Sequence, residues 1–365
     1  MEDPPHGTSF SGRLAGMHPS LVATAAQQGG VLLRRQAVSV GYADGELRAQ
    51  TRPGGPWLVL RRGAYVERAR WEALDRHVGQ PLARDWAAHL TMRHQHAMSH
   101  DSAGRAHGLS LLRPRRQLVH ITRPGVGGTR TEHGVKHHLG HGLPWVRSFA
   151  SGLPVTPLAR TAIDIAREHG VEAGVCAMDS ALRRGVTERD FARAFAAMAH
   201  FPHIRRARHA LALADPGAEN AGESMARLLV AESVPSADIQ TQYPVLVQGR
   251  VVWLDLVVGC HAVEFDGRVK YLRRTEGGVA DRPAGEVVWD EKERQRLVCG
   301  EGLGMSRIIW SDYWGGARDL ARIRLRAEEA LTRERPGTRR PAHLEAFAAR
   351  MREARLRRLA LSPAV

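Results

Sequence analysis

The sequence predicts a multidomain α+β protein, and three observations carry that prediction. At about 150 residues per domain, a length of 365 residues favours two or three domains over one. With 43% hydrophobic and 25% charged residues, the chain has the composition of one that buries a sizeable core. Its hydrophobic pattern also changes along the chain: short helical patterns with a hairpin first, longer helical patterns in the middle, then alternating strands and Arg-rich helices. The resulting division is a disordered leader at 1–16, a winged helix-turn-helix at 17–66, a helical middle domain at 67–205, an α/β/α domain at 206–316 and a basic helical tail at 317–365.

The leader begins MEDPPHGTSF, acidic and Pro-containing, with no apolar stretch of a signal peptide. No run of about 18 apolar residues occurs, so the expectation is a cytoplasmic chain with no membrane partner. Met17, just ahead of the first patterned segment, is a candidate start. Lys and Arg total 53 against 38 Asp and Glu, a net charge of +15. That excess points to a polyanion, nucleic acid ahead of an acidic membrane surface. Arg-rich coding also raises charge without function, so motifs must decide. Cys176, Cys260 and Cys299 are distant and odd in number, which argues against disulfides or a thiolate zinc site and for small buried apolar residues.

Between Met17 and Val66, helices are expected over Leu21 to Ala26 and Arg35 to Val40, with Gly29-Gly30 and Gly41 as stops. Asp44 is placed to cap a third helix, Gly45 to Thr51, and Pro53-Gly54-Gly55 turns the chain into strands from Trp57 to Tyr65. Three short helices and a hairpin read as a winged helix-turn-helix, whose third helix enters the major groove while the wing touches backbone. Arg48 and Arg52 then fall on or beside the recognition helix, and Arg61 and Arg62 on the wing, where they suit phosphate or guanine contacts. A solvated face is the bland alternative. The stretches "GGVLLRRQAVSVGYADGELR" and "RRGAYV" resemble the N-terminal module of AbiEi-type antitoxins and transcriptional regulators.

In the middle region, Trp86 to His94 reads as helix, Gln117 to Thr122 as strand, and Pro157 to His169, Val171 to Arg184 and Glu188 to Ala199 as helices. The segments "SHDSAGRAHGL", "LPVTPLARTAIDIA" and "MDSALRRGV" also resemble AbiEi-type proteins, which implies a helical scaffold without catalysis. His133, His137, His138 and His141 lie in a Gly-rich stretch with only Glu132 as an acidic companion, and read as surface loop and strand histidines. Ser99, His100 and Asp101 are adjacent in sequence, an arrangement poorly suited to a triad.

The acids of the C-terminal part carry the sharpest chemistry. A helix opens at Gly222-Glu223-Ser224, and strands follow over Gln242 to Val247, Val251 to Val258 and His261 to Phe265. Asp255 interrupts "VVWLDLVV", and Glu264 and Asp266 interrupt "HAVEFDG". Charges inside apolar strands are costly unless paired or bound to a cation. Period-two geometry puts Glu264 and Asp266 on one face, where an antiparallel neighbour can present Asp255, with Glu223 as a fourth carboxylate. Such a cluster suits Mg²⁺, or Mn²⁺ in its place. Arginine-satisfied surface acids are the alternative.

These residues, with "WDEKERQRL" and "SRIIWSDYW", resemble the PD-(D/E)XK nuclease superfamily and its group allied to very-short-patch repair endonucleases. The resemblance implies a restriction-endonuclease-like domain in which Asp255 and Glu264 are catalytic and hold metal, with Glu223 and Asp266 completing the shell. The superfamily's usual lysine slot holds Asp266. Lys270 and Lys292 are therefore the candidates to act on the attacking water, while Arg294 and Arg296 suit phosphate binding. The insert "RTEGGVADRPAGE" reads as a mobile loop, and the Arg-rich helices Ala317 to Arg333 and Ala342 to Leu359 as a phosphate clamp or a solvated amphipathic surface. Two functions follow. One is a DNA-binding Mg²⁺-dependent endonuclease; the other is a non-catalytic AbiEi-type antitoxin or repressor that binds operator DNA and a cognate toxin.

Overall fold

The computed structural model describes residues 17–114, 116–140, 148–235, 238–267, 294–336 and 342–361. They form a mixed α/β protein with three sheets. Among these residues no helix is long and apolar enough to cross a membrane. The chain divides into two compact units, one of Met1–Gly108 with Arg115–Pro157, the other of Leu109–Pro114 with Leu158–Val365.

The first unit opens with α1 (Pro19–Gln27), β1 (Val31–Leu33), α2 (Arg34–Ser39), α3 (Asp44–Thr51), β2 (Trp57–Arg61) and β3 (Ala64–Glu67). The three strands form an antiparallel sheet in the order β1-β3-β2. Leu21, Leu32, Ala37, Leu47, Trp57 and Tyr65 make the core beneath it. Strand β1 was not legible in the sequence, because three residues buried on every side show no alternation. Gly29 ends α1 at φ 63°, and a Cβ there would meet Trp86 Cδ1 at 2.3 Å, so both its conformation and the close approach require glycine. Asp44 is not the cap of α3. Ala43 holds that position, its N–H donating to Glu46 Oε2 at 2.7 Å, while Asp44 sits in the first turn and pairs with Arg34.

The unit continues through α4 (Arg68–Ala73), α5 (Gly79–Thr91), β4 (Ala97–Met98), α6 (His100–Ala106), β5 (Val119–Arg123), β6 (Thr129–Glu132), β7 (Val135–Leu139), β8 (Ser148–Ala150) and β9 (Leu153–Val155). Strands β4 to β9 form one six-stranded sheet in the order β6-β7-β5-β4-β9-β8. The expected middle region therefore contains a six-stranded sheet in addition to its expected helices, which are α5 here and three that follow Pro157. Val31, Leu33, Ala64, Trp86, Met98, Ile121 and Val155 belong to one core, so burial joins the N-terminal elements to this sheet and leaves no boundary at residue 67. Strand β5 matches the expected strand at Gln117 to Thr122, whereas the others escaped detection because they are short, and Gly- and His-rich segments carry little apolar alternation.

The second unit contains α7 (Leu158–His169), α8 (Val171–Arg183), α9 (Glu188–Ala197), α10 (Ile204–Ala212), α11 (Ala221–Ser233), β10 (Ile239–Val247), β11 (Arg250–Val258), β12 (His261–Phe265), helical residues 294–300 (α12), β13 (Gly304–Ile308), a 3-10 turn at Trp310–Tyr313, α13 (Gly315–Glu334) and α14 (Ala342–Leu361). Helix α10 is an addition to the sequence reading. The sheet order is β10-β11-β12-β13, antiparallel except for β12 beside β13. A single core runs from Ile163 and Val175 through Leu229 to Leu256, Val263 and Leu325, so neither 206 nor 317 is a domain boundary. The expected tail is built in: α13 buries Ala321 and Leu325, and α14 buries Ala348 among Tyr243 and Val245. Of the cysteines, Cys176 is buried, but Cys260 and Cys299 are only half-buried.

Candidate functional site

Glu223 sits in the first turn of α11. Asn220 caps that helix by accepting the Glu223 N–H at 3.1 Å. The Glu223 carboxylate turns back to accept from Glu219 N and Asn220 Nδ2, both at 2.6 Å, and from Gln242 Nε2 at 3.2 Å. Its oxygens thus close the helix N-terminus and tie it to β10.

Asp255 and Glu264 occupy neighbouring strands where the β11–β12 ladder ends. The last paired residues are Leu256 and Val263. Beyond them the carboxylates take over the backbone donors: Phe265 N–H donates to Asp255 Oδ2 at 2.8 Å, and Asp255 N–H to Glu264 Oε1 at 3.4 Å. Arg294 on α12 donates to both Glu264 oxygens at 3.2 Å and to the Trp253 carbonyl at 2.7 Å. The parallel register sets Arg307 beside Glu264, and Arg307 reaches Asp266 at 3.3 Å. Glu264, Phe265, Asp266, Arg294, Gln295, Met305 and Arg307 line an open cleft.

The structure brings Asp255 and Glu264 together but not the expected four-carboxylate cluster. Among the described residues, no three of Glu223, Asp255, Glu264 and Asp266 place carboxylate oxygens within 4.8 Å of one another. Glu264 and Asp266 line the same cleft, as period-two reasoning expects, although β12 itself ends at Phe265. Arg294 ion-pairs with Glu264 where a phosphate contact was expected; Arg296 is exposed on the same helix. Lys270, Lys292 and the Gly-rich insert lie outside the described residues.

In the first unit Arg48, on α3, and Arg52, just past it, are exposed, as is Arg62 in the β2–β3 turn. Arg61 is half-buried, and burial lowers its pKa.

A second constellation escaped the sequence reading. His100, His120 and His138 are 3%, 1% and 9% exposed, so the surface assignment of His138 is overturned, as it is for His137 at 6%. Parallel pairing of β5 and β7 sets Thr122 against His138 and places His120 two residues along the same face; α6 delivers His100. His100 and His138 stack with centroids 3.7 Å apart, and His120 Nδ1 lies 3.0 Å from His138 Nε2. His120 Nε2 is 3.3 Å from Asp101 Oδ2, and His100 Nδ1 is 3.0 Å from Ser99 Oγ. Ser99, His100 and Asp101 still form no triad of their own. Their signal in sequence was the alternating His120 and Thr122 in a strand whose faces are both buried. No protein-family model and no curated protein matches the chain.

Proposed function

We propose that this chain is a DNA-binding protein whose C-terminal sheet hydrolyses phosphodiesters with Mg²⁺ or Mn²⁺. The observation that carries this reading is the pair Asp255 and Glu264, set side by side at the end of a strand ladder, with Glu264 and Asp266 lining a cleft that Arg294 and Arg307 border. The order α11-β10-β11-β12-α12-β13 is the helix, hairpin, strand, helix, strand sequence for which the PD-(D/E)XK resemblance stands. Three helices with an antiparallel sheet at residues 17–67 likewise support a winged helix-turn-helix of the AbiEi type.

The donor set fits the ion: two carboxylates on adjacent strands are hard oxygen ligands of the kind these cations take. A bound ion would polarise the phosphodiester and lower the pKa of a water. Asp255 and Glu264 would hold it, with Asp266 and Glu223 orienting neighbours. Arg294 would exchange its contact with Glu264 for a substrate phosphate, and Arg307 would bind the same backbone. Lys270 or Lys292 would handle the proton of the water. In the first unit, Arg48 and Arg52 would contact the major groove and Arg61 and Arg62 the backbone, supplying affinity in keeping with the +15 charge.

A second reading rests on the same arginines. Arg294 and Arg307 already counter Glu264 and Asp266, so the acids are accounted for without a cation. That favours a non-catalytic AbiEi-type antitoxin or repressor, with DNA and a cognate toxin as partners. Cleavage of duplex, nicked, mismatched and single-stranded DNA with Mg²⁺ or Mn²⁺, by wild type and by Asp255→Asn, decides between them. Asparagine keeps an acceptor for the Phe265 N–H while removing the charge. Metal-dependent cleavage abolished by the variant supports hydrolysis; DNA binding by both proteins with cleavage by neither supports the repressor.

A further inference from the structure

The geometry points to a Zn²⁺ site in the first unit, formed by His100, His120 and His138, remote in chemistry from the carboxylate pair of the other unit. One ring nitrogen from each histidine lies within 4.8 Å of the other two. A tetrahedral ion with Zn–N bonds of about 2.0–2.1 Å needs nitrogens about 3.3 Å apart. The His120 Nδ1 to His138 Nε2 separation of 3.0 Å is already on that scale, and the His100 ring, stacked on His138 with planes 17° apart, would have to rotate out of the stack to turn a nitrogen to the same ion.

Proton bookkeeping favours ligation. A neutral imidazole has one N–H and one lone pair. Asp101 Oδ2 accepts from His120 Nε2, which puts the proton there and turns the Nδ1 lone pair toward His138. A carboxylate behind an imidazole, fixing its tautomer and raising its basicity, is the usual support of a metal-bound histidine. Imidazoles select borderline ions such as Zn²⁺ over Mg²⁺, which prefers oxygen.

Backbone strain supplies an independent observation. His100 has φ 49°, a left-handed conformation that L-residues with a Cβ rarely adopt. Such strain persists where the surroundings over-determine it, and it concentrates at ligand sites. Here it turns the first residue of α6 so that its ring stacks on His138 from β7. An ion at this point would staple α6 to the two parallel strands β5 and β7. Three protein ligands leave a fourth position for water, so the site takes a zinc-type cation and not a bulky ligand.

The test uses the full chain, stripped with chelator and titrated with Zn²⁺ by calorimetry and with Co²⁺ by visible absorption, in excess Mg²⁺ to fill oxygen sites. The expected result is one equivalent bound, with the visible band of four-coordinate Co²⁺ and a melting temperature that rises with Zn²⁺. His120→Gln and His138→Gln should remove that equivalent, Asp101→Asn should weaken it by about 10- to 100-fold, and exposed His133→Gln and Asp255→Asn, in the other unit, should leave it unchanged. If the ligand variants fail to fold, the Asp101→Asn affinity decides. No stoichiometric binding, or binding that Asp101→Asn and the ligand variants leave intact, overturns the site.

Discussion

Arg105 and Asp85 form a buried pair whose removal should be felt across the first unit. Asp85 is 0% exposed and Arg105 8%. The guanidinium grips the carboxylate through Nε and Nη2, each at 3.0 Å. Ser102 Oγ donates to the same carboxylate at 2.6 Å and accepts the His120 N–H at 2.8 Å, linking the pair to β5. Arg105→Met removes both guanidinium bonds to Asp85, together with those to Ser102 Oγ and the Leu118 carbonyl, and leaves Asp85 with the Ser102 hydroxyl. Breaking a buried pair from one side costs about 3–5 kcal/mol. At about 1.4 kcal/mol per decade, amide exchange in α6 and β5 should quicken by about two to three and a half orders of magnitude at pH 7. Hydrogen exchange read by mass spectrometry is the assay, because it localises the loss without assuming two-state unfolding of a two-unit chain. Burial pushes the Asp85 carboxyl above its ordinary value even with Arg105 and Ser102 pulling it down, and losing Arg105 pushes it further. The native variant then binds more protons than its unfolded form between the unfolded and folded pKa values, so its deficit should shrink as pH falls through that window. The double variant Asp85→Leu/Arg105→Met removes both charges and should regain most of the stability. A change below about 3-fold in Arg105→Met, or one that does not shrink as pH falls toward the ordinary carboxylate range, would refute this account of the pair.

Other outcomes are equally open to measurement. Gly222→Ala would put a Cβ 2.1 Å from Phe265 Cε1, where overpacking costs about 1–3 kcal/mol; calorimetry should show a lower melting temperature, relieved by Phe265→Leu. Arg48→Ala and Arg62→Ala should each reduce the slope of log affinity against log salt for DNA by about 1 if they meet phosphates, and only a base-reading residue should also relax sequence preference. Burial, with His96 beside it, lowers the His89 pKa to about 4. Its depressed value means the unfolded chain binds the proton first, so the first unit should lose stability as pH falls from about 6.5 toward 4, and His89→Gln should flatten that melting profile.

Much of the local architecture could be read directly. Glycine stops, the helix start at Gly222-Glu223-Ser224, the Gln248-Gly249 turn and period-two apolar runs are short-range effects, and α1, α3, α11, β11 and β12 lie close to their expected positions. Asp255 and Glu264 were legible for the same reason: a charge within an apolar strand marks itself. Asp266 shares the Glu264 cleft as expected, its N–H donating to the Ile308 carbonyl at 2.8 Å just past β12, but convergence of four carboxylates depended on distances that alternation does not set.

Composition, charge and local pattern thus determined an α/β chain, a basic surface and a pair of acids. Only tertiary packing decided which segments share a core, that Arg294 and Arg307 return to the acids, and that three histidines from α6, β5 and β7 meet away from water. Those are contacts between residues tens of positions apart, set by strand register and burial. Such contacts leave no periodic trace in the chain, whereas a cap, a turn or an amphipathic strand is written within a few residues of itself.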